Sequence, residues 1–332
     1  MTVSIIIPHY NGTVILSNCL DSLLSHDRRP EEIIVVDNGS TDDSVEMLKL
    51  HYPEVKLLTL TKNTGFTGAN NAGLKEASGD MIVLLNNDCI VEKGWLNSLL
   101  HRMEDDSIGA VTSSMRNIDN KNIIDSAGGE LDWMGFSRDV GRGDPVALHA
   151  AVTDIPYPCG GAVMIRRSAL PSPTALFWED LFIYYEDIDL GFELNRTGWR
   201  IVYEPKAVVR HIHSATALQF SYLKEYSCIR NRILVLKKHM NRKIFQELTP
   251  IILSWQLLWM GTCLLRGRIH DAKAVYCGTS DAFRKNVEHF QAPISLETIL
   301  RKFVKPCKFR NPVKKVLCRK AEKIISKNGR SF

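Results

Sequence analysis

The 332-residue sequence lacks several signatures by which large protein classes are recognised. Its eight cysteines are scattered, with no CxxC pair and no metal-type spacing, which favours buried thiols in a reducing compartment. Neither a G-x-G-x-x-G dinucleotide motif nor a P-loop of the form G-x-x-x-x-G-K-[ST] occurs. The N-terminus has no basic segment followed by a long apolar run, so we expect no signal peptide and a cytoplasmic protein.

Charge is unevenly spread along the chain. The formal net charge is +5, but residues 301–332 hold 12 Lys and Arg against one acid, Glu322. The preceding 300 residues hold 30 basic and 36 acidic side chains. The tail has no recognisable nucleic-acid-binding module and few aromatic residues, so we expect no nucleic-acid partner. An anionic membrane surface, which attracts each nearby Lys or Arg by about 1 kcal/mol, is the favoured partner of the tail.

Apolar runs alternate with helical patterns through the first half of the chain. The predicted strands are residues 3–8, 33–37, 55–60 and 81–85, and the predicted helices are residues 14–24, 42–50 and 68–77. Repeated strand–helix units with short links predict a mostly parallel sheet covered by helices. Glycines break any period between residues 117 and 150, so that stretch is expected to be a loop. Short strands are predicted at residues 201–203 and 207–209, and helices at 187–197 and 222–239.

The fourth predicted strand ends abruptly in polar residues. Its five apolar residues are typical of a strand buried on both faces of a sheet. Asn86, Asn87 and Asp88 follow directly, where open α/β sheets bind their ligands. A carboxylate between amides suits a divalent cation that bridges to a phosphate. The alternative is a polar turn before Gly94.

Polar and aromatic residues also follow the first and second predicted strands. Pro8 and Tyr10 end the first strand, and Asp37 ends the second. Tyr10 could lie against the face of a heterocyclic ring, and Asp37 could accept a hydrogen bond from a ring N–H. The alternative is that Asp37 caps the helix that begins near Asp42.

Three acids crowd at the start of a later predicted helix. Glu186, Asp187 and Asp189 lie within four positions, where mutual repulsion raises pKa values and favours proton or metal chemistry. Acids at a helix N-terminus also stabilise the helix, which is the structural alternative. Two histidines, His211 and His213, follow a short strand. They are either ordinary core or surface histidines, or neutral imidazole ligands for the cation held at Asp88.

A 15-residue, mostly apolar run covers residues 251–265 and is followed by Arg266, Gly267 and Arg268. It falls short of the ~20 residues that span a bilayer. With Trp255, Trp259 and flanking arginines it suits a helix lying in the lipid headgroup region. The alternatives are a helix packed on the protein and half of a dimer interface.

Eight motifs occur in one order along the chain: IIIPHYNG, VVDNGSTDDS, NTGFTGANNAG, LLNND, CGGAVMIRR, YYEDIDLGFELNRTGWR, H-x-x-S and RNRILVLKKH. In this order the chain resembles bacterial family 2 glycosyltransferases, most closely the rhamnosyltransferase-like branch, over about residues 1–290. The resemblance implies an α/β GT-A fold with a C-terminal helical, basic extension. It also implies a nucleotide-sugar donor, a divalent cation (Mn²⁺ or Mg²⁺) and inversion at the anomeric carbon.

The resemblance also implies roles for individual residues. Asp187 would be the catalytic base, in a pair with Glu186, and Asp88 and His211 would bind the metal. The implied donor-binding residues are Pro8, Tyr10, Asp37, Asn63, Asn87 and Arg230, the last paired with Asn231 near the diphosphate or acceptor. Asn86-Asn87-Asp88 departs from a fully acidic D-x-D motif, so metal affinity is expected to be low without bound diphosphate.

The expected organisation is a catalytic domain over residues 1–240, an amphipathic helical region over 241–290 and a basic tail over 291–332. The expected reaction moves a sugar from dTDP-rhamnose or a UDP-sugar to a hydroxyl of a lipid-linked precursor of cell-surface polysaccharide. The protein would sit peripherally on the inner face of the cell membrane, and a homo-oligomer is a further prediction. Alternatives are a non-catalytic nucleotide-sugar-binding component of an assembly complex, a nucleotidyltransferase and a dehydrogenase. Against the last two stand His9-Tyr10-Asn11-Gly12 after the first strand and the missing glycine fingerprint.

Overall fold

The computed structural model describes residues 1–26, 28–212, 221–289, 293–304 and 311–328. By its internal contacts the chain divides into two compact units. The first unit comprises Met1–Gly129, Asp139–Leu194 and Trp199–Ser214, and the second comprises Glu130–Arg138, Asn195–Gly198 and Ala215–Phe332. The boundary at residue 240 that the sequence suggests falls inside the second unit.

Ten strands of the described residues form one mixed sheet in the first unit, in the order β10-β12-β6-β11-β4-β1-β2-β3, with β5 paired to β12 and β7 to β6. A separate hairpin is formed by β8 and β9. The strands are β1 (Val3–His9), β2 (Glu32–Asp37), β3 (Lys56–Thr59), β4 (Met81–Leu85), β5 (Cys89–Val91), β6 (Ile108–Asn117), β7 (Ile124–Ser126), β8 (Gly129–Leu131), β9 (Ser137–Asp139), β10 (Thr153–Asp154), β11 (Ala162–Arg166) and β12 (Arg200–His211).

The parallel part of the sheet is the set β3-β2-β1-β4, in which all three pairings are parallel. β11 then runs antiparallel between β4 and β6, and β12 lies parallel to β6. The predicted mostly parallel α/β sheet is therefore confirmed. The helices of this unit are α1 (Thr13–Leu24), α2 (Ser44–His51), α3 (Gly65–Glu76), α4 (Trp95–Arg102) and α5 (Glu186–Arg196).

β4 lies in the centre of the sheet and all five of its residues are buried. Val83 and Leu85 belong to a core cluster that includes Leu20 of α1, whereas Ile82 and Leu84 belong to a second cluster that includes Leu74 of α3. Successive side chains of a strand point to opposite faces, so both faces of β4 are covered by helices. Burying each such aliphatic side chain contributes about 1.5–3 kcal/mol.

Two expectations for the middle of the chain are wrong in detail. The glycine-rich stretch 117–150 contains β7, the β8–β9 hairpin and a 3-10 helix at Val146–His149, rather than only a loop. The two short strands predicted at 201–203 and 207–209 are one strand, β12, which shifts its register against β6 between Glu204 and Val208. A register shift of this kind lets one strand bend and continue past its partner.

The second unit is mainly helical. Asn241 caps one of its helices by accepting a hydrogen bond from the backbone N–H of Lys243 at 2.9 Å. Its helices are α6 (Ser221–His239), α7 (Arg242–Leu265), α8 (Ile269–Arg284), α9 (Leu296–Phe303) and α10 (Pro312–Asn328). At 24 residues, α7 is longer than the apolar run from which it was predicted. Among the described helices, it alone has the length and apolar composition needed to cross a membrane.

The cysteines differ from the expectation at one position. Within the described part of the chain, six are free thiols, and Cys19, Cys89 and Cys263 among them are buried. Cys318, on α10, is disulfide-bonded, so the expectation of free thiols is wrong there. Cys307 lies outside the described residues.

Candidate active site

The ends of β1 and β2 lie side by side because the two strands pair in parallel, with His9 opposite Asp37. Asp37 is buried, and its carboxylate accepts a hydrogen bond from the backbone N–H of Ser40 at 3.2 Å. Tyr10, directly after β1, is 40% exposed, and Pro8 is half-buried. The predicted base-binding residues therefore meet at one edge of the sheet.

Asp42, rather than Asp37, holds the start of α2. Its carboxylate accepts hydrogen bonds from the backbone N–H of Ser44 at 3.3 Å and of Gly12 at 2.7 Å. Burial acts to raise its pKa, but these bonds and those from nearby hydroxyls outweigh burial and lower the pKa to about 2. Asp42 thus ties together the turns after β1 and β2 and leaves Asp37 out of the helix cap.

The turn after β3 is held by two asparagines. The side-chain oxygen of Asn63 accepts from the Asn38 amide at 3.1 Å and from the backbone N–H of Gly65 at 2.8 Å. Asn38 is buried, and its own oxygen accepts from the backbone N–H of Thr64 at 2.8 Å. Asn38, which lies in the VVDNGSTDDS motif, thus joins the ends of β2 and β3.

At the end of β4, Asn87 meets a histidine that the sequence did not single out for a role. The Asn87 amide nitrogen lies 2.9 Å from Nδ1 of His9, and His9 Nε2 lies 2.8 Å from the Ser44 hydroxyl. Burial lowers the pKa of His9, which favours the neutral ring. With the amide donating to Nδ1, the ring proton sits on Nε2. The buried side-chain oxygen of Asn86 has no hydrogen-bond partner among the residues described.

Asp88 and His211 are brought together by strand pairing. β5 and β12 run antiparallel with His211 opposite Cys89, so the two predicted metal ligands become neighbours. His211 Nε2 lies 3.3 Å from Asp88 Oδ2, and His211 Nδ1 lies 2.6 Å from Asp125 Oδ2. Burial lowers the pKa of His211, but the hydrogen bonds to Asp125 and Asp88 outweigh burial and raise the pKa to about 9.

Asp125, on β7, is the residue beside the predicted metal ligands that the sequence did not single out. It is buried, and the Arg142 guanidinium lies 3.3 Å from it and 3.1 Å from Asp139. Asp125 stands 86 residues before His211, in a stretch expected to be a loop. No local pattern marks it, because its position beside the histidine depends on β7 and β12 both joining β6.

The donor set at Asp88 fits a divalent cation. Carboxylate oxygen and imidazole nitrogen are common ligands for such ions, and Asp88 Oδ2 and His211 Nε2 lie 3.3 Å apart here. A metal-binding histidine usually bonds a carboxylate through its other ring nitrogen, as His211 does with Asp125. Two protein ligands leave coordination positions for phosphate oxygens. Asp88 and His211 could therefore hold Mn²⁺ or Mg²⁺ together with a diphosphate.

Glu186 and Asp187 begin α5, where Glu186 is buried and Asp187 is partly exposed. The Asp187 carboxylate accepts hydrogen bonds from the backbone N–H groups of Ile188, at 2.8 Å, and Gly160. Burial raises the pKa of both acids. The negative charge of Asp187 raises the pKa of Glu186 further, and the negative charge of Asp139 raises the pKa of Asp187 further. One buried oxygen of Glu186 has no hydrogen-bond partner within the described residues. The pair is thus poised to hold or accept a proton near neutral pH.

The backbone leading into α5 is strained. Phe182, Tyr184 and Tyr185 adopt positive φ angles of 62°, 68° and 73°, which are unusual for residues with a side chain. The carbonyl oxygen of Phe182 accepts from the backbone N–H of Thr67 at 3.1 Å. A β-carbon at Gly65 would overlap that oxygen, so only glycine allows the approach. The N-T-G-F-T-G segment therefore supports the loop that positions Glu186 and Asp187.

The Gly160–Gly161 turn contacts both the end of β4 and the start of α5. The carbonyl oxygen of Gly161 accepts from the backbone N–H of Asn86 at 2.9 Å, two residues before Asp88. A β-carbon on Gly160 would lie 3.5 Å from Cβ of Asp187. Asp187 and Asn86, the latter two residues before Asp88, therefore both contact one glycine turn where β4 ends.

Other predicted site residues lie elsewhere in the chain. Arg230 and Asn231 are on α6 in the second unit, where the Arg230 guanidinium donates to the Asn231 side-chain oxygen at 2.9 Å. Their assignment to the donor site stays a prediction. His213 and Ser214 lie outside the described residues.

This sheet, with acids gathered where its central strands end, defines a GT-A glycosyltransferase fold. The chain matches a structure of GalNAc-T7 with UDP, GalNAc and Mn²⁺ with a TM-score of 0.61 at 20% identity. The match covers 76% of this chain and 51% of that one. A mannosyltransferase from Pyrobaculum calidifontis, solved with GDP-Man and Mn²⁺, matches with a TM-score of 0.52 at 16% identity over 98% of this chain and 86% of that one. At such identities the likeness concerns the fold.

Residues 4–171 match Glycosyl transferase family 2, and the chain belongs to that family. The O-antigen biosynthesis protein RfbC of Myxococcus xanthus is 28% identical over 231 residues, 64% of this chain and 17% of that protein. A pre-mycofactocin glycosyltransferase of Mycobacterium tuberculosis is 29% identical over 222 residues, 64% of this chain and 43% of that protein. The chain thus spans less than half the length of these relatives. The family resemblance is confirmed, and the rhamnosyltransferase-like branch stays a prediction.

Proposed function

We propose that this protein is an inverting glycosyltransferase that moves a sugar from a nucleotide-sugar donor to an acceptor hydroxyl. The observation that carries the proposal is that the backbone N–H of Gly160 donates to Asp187, a carboxylate with a raised pKa, while the carbonyl of Gly161 accepts from Asn86, two residues before Asp88. One segment held by that turn carries a proton acceptor, and the other leads to Asp88 and His211, which are suited to a metal-bound diphosphate. Sugar transfer with loss of a nucleoside diphosphate needs both.

The donor we propose is dTDP-rhamnose or a UDP-sugar. Thymine and uracil both carry a ring N–H, from which the buried carboxylate of Asp37 could accept a hydrogen bond. The exposed ring of Tyr10 supplies a flat apolar surface beside it. Asn63 and Asn87, which end the two strands on either side, are proposed to complete this end of the donor site. Arg230 is proposed for the diphosphate.

We propose that Asp88 and His211 hold Mn²⁺ or Mg²⁺ and that Asp125 keeps the imidazole in place. Such an ion supplies positive charge against the leaving diphosphate when bound. To act as a ligand, His211 would give up its Nε2 proton, and Nδ1–H would donate to Asp125. The high pKa of His211 makes this proton release an inherent cost of metal binding. Diphosphate oxygens would complete the coordination.

Asp187 is proposed as the general base. It would take the proton of the acceptor hydroxyl while that oxygen attacks the anomeric carbon on the face opposite the departing diphosphate. A single displacement with one base inverts the configuration, so Glu186 is not required as a nucleophile. Glu186, buried next to Asp187, is proposed to share the proton equilibrium of the pair.

The acceptor we propose is a lipid-linked precursor of a cell-surface polysaccharide, reached at the inner face of the cytoplasmic membrane. Two relatives support this acceptor class: RfbC is an O-antigen biosynthesis protein, and another relative, 28% identical over 202 residues, is a poly-β-1,6-N-acetyl-D-glucosamine synthase of Staphylococcus aureus. The basic residues of the tail support the membrane location. A homo-oligomer remains a further proposal.

A donor screen tests the proposed function. Thermal unfolding of the full chain is measured with UDP, dTDP, GDP and their sugars, with and without MnCl₂, and the best donor is then assayed for nucleoside diphosphate release. A ligand at 100 times its dissociation constant should stabilise by about 2.7 kcal/mol. Absence of any nucleotide-dependent shift would refute the donor site. Stabilisation without hydrolysis or transfer would instead support the non-catalytic binding component.

A further inference from the structure

Helix α7 and the turn that follows it carry large apolar side chains on their surface. Leu257 is 64% exposed, Leu264 53%, Leu265 92% and Ile269 68%. Leu253, Leu257 and Leu264 follow the spacing of one helical face. We call this surface of the helical hairpin α7–α8 the hairpin surface; it consists of Leu253, Leu257, Leu264, Leu265, Arg266 and Ile269.

The opposite face of α7 packs within the second unit. Ile244, Leu248 and Ile252 are buried there. Trp255 meets the ring of Phe136 edge-on, with ring centroids 5.8 Å apart. The indole N–H of Trp259 donates to Glu225 at 2.6 Å. Both tryptophans therefore have protein partners, and the leucines form the exposed side.

The second unit has a strong excess of positive charge. By sequence it holds 26 Lys and Arg against 9 Asp and Glu, whereas the first unit holds 16 against 28. Arg266 and Arg268 lie in the turn between the exposed leucines and Ile269, and Arg268 also bonds Asp271 at 2.5 Å. Apolar side chains next to cations are the composition that anionic lipid surfaces bind.

We propose that the hairpin surface docks on an anionic lipid bilayer, with its leucines at the boundary of headgroups and acyl chains and Arg266 at the lipid phosphates. The proposal deepens the membrane location suggested above and rests on it. The charge of the second unit decides the occupant, because a second copy of this chain would bring the same positive excess against it. A nucleic acid would leave the leucines without an apolar partner.

The depth of binding follows from the packing of α7. The helix is long enough to cross a bilayer, and 28% of its most apolar 18-residue stretch is buried within the protein. Gln256 is buried on the packed side. Crossing the bilayer would require that face to leave its contacts in the second unit, whereas binding in the interface engages only the side that is already exposed.

Vesicle co-sedimentation of the full chain tests the docking surface. The substitutions Leu257→Gln, Leu264→Gln and Leu265→Gln are combined in one variant. Its matched control is Leu50→Gln with Leu148→Gln, two leucines of the first unit that are 75% and 71% exposed. We expect binding to phosphatidylcholine vesicles containing phosphatidylglycerol but not to phosphatidylcholine alone. The hairpin variant should lose about tenfold or more in partition coefficient, since three apolar side chains no longer enter the lipid, and the control should bind as the unmodified chain does.

A second pair of variants tests the cationic part. Arg266→Gln with Arg268→Gln should weaken binding and reduce its salt dependence, whereas Arg28→Gln with Arg29→Gln, exposed in the first unit, should not. Equal binding of the leucine variant and the unmodified chain would overturn the proposal. The proposal would also be overturned if the leucine substitutions dissociated a dimer of the protein. The same holds if the expressed protein stayed in the membrane during extraction with alkaline carbonate. Nucleoside diphosphate release in the absence of vesicles should be the same in all variants, which separates failure of the docking surface from failure of the proposed function.

Discussion

Asp187 combines partial exposure with a raised pKa, which is the state that a general base for an acceptor hydroxyl needs. The backbone N–H groups of Ile188 and Gly160 orient its carboxylate. The sequence showed the acids but not the hydrogen bond from Gly160, because that residue comes from another part of the chain. Its contribution to the site is therefore tertiary.

Replacing Asp187 with Asn should abolish most of the transfer activity while the protein still folds. The amide cannot accept the proton, and general base catalysis is typically worth about 10²–10⁴-fold in rate. We expect a loss of at least about 100-fold in kcat, measured as donor-dependent product formation. Asp119→Asn, at an exposed position, serves as the control. Near-normal turnover of the Asp187→Asn variant would remove it from the role of base.

Replacing Asp125 with Asn should weaken metal binding at His211. The amide is a poorer acceptor for Nδ1–H, and loss of such an outer partner typically costs about 10–100-fold in metal affinity. Mn²⁺ affinity is measured by electron paramagnetic resonance in the presence of the best-binding nucleoside diphosphate. Asp144→Asn is the control, since Asp144 also pairs with a histidine, His149, through its Nε2 at 3.0 Å. Equal Mn²⁺ affinity in the two variants would contradict the positioning role.

Among the elements, α3 and the loop before α5 act together. Gly65 opens α3 with a φ of 77° and packs against the strained segment at Phe182. The motif around Gly65 was visible in the sequence, but its partner lies more than 100 residues away. Pairing of distant segments decides which loop this motif supports.

Gly65→Ala should destabilise the protein and lower its activity. The new β-carbon would add an overlap with the Phe182 carbonyl to the strain of the positive φ. Gly94 is the matched control, because its φ is 82° and a β-carbon there meets nothing within 4 Å. We expect Gly94→Ala to cost about 1–2 kcal/mol from strain alone and Gly65→Ala to cost more. Equal thermal unfolding temperatures would show that the contact with Phe182 does not matter.

At the scale of the whole molecule, the free energy of unfolding depends on pH in two opposite ways. Acids whose pKa is lowered by hydrogen bonds act in one direction, and acids whose pKa is raised by burial act in the other. Asp42 has a lowered pKa of about 2, so its contribution is present above its unfolded pKa and is lost as pH falls through the folded value. Glu186 and Asp187 have raised pKa values, so their contribution is present below the unfolded values and is lost as pH rises through the folded ones. The two effects favour an optimum between acidic and alkaline pH.

Urea unfolding over a range of pH checks this sign. The free energy of unfolding should fall as pH rises from about 5 to 8, because ordinary carboxyl pKa values are near 4 and those of Glu186 and Asp187 are higher. The double variant Glu186→Gln with Asp187→Asn should lose much of this slope, whereas Asp42→Asn should alter only the acidic limb. An unchanged slope in the double variant would contradict the raised pKa values.

Much of the architecture was readable from local pattern. Runs of apolar residues ending in Pro8, Asp37 and Asn86 predicted three parallel strands and the edge at which their polar residues meet. This worked because parallel strands with helical connections have few arrangements. The pattern failed between residues 117 and 150, where short strands alternate with glycines and the pairing with β6 cannot be inferred from the segment itself.

The sequence by itself determined the family, the mostly parallel sheet and the chemical types of its site residues, because apolar period and motif order are properties of contiguous segments. Only the tertiary structure decided that Asp125 supports His211, that Gly160 donates to Asp187 and that the leucines rather than the tryptophans of α7 face outward. Each of these depends on which segments become neighbours in space. Strand register and helix rotation set that choice. A shift of strand register by one residue would turn every side chain of the strand to the other face of the sheet.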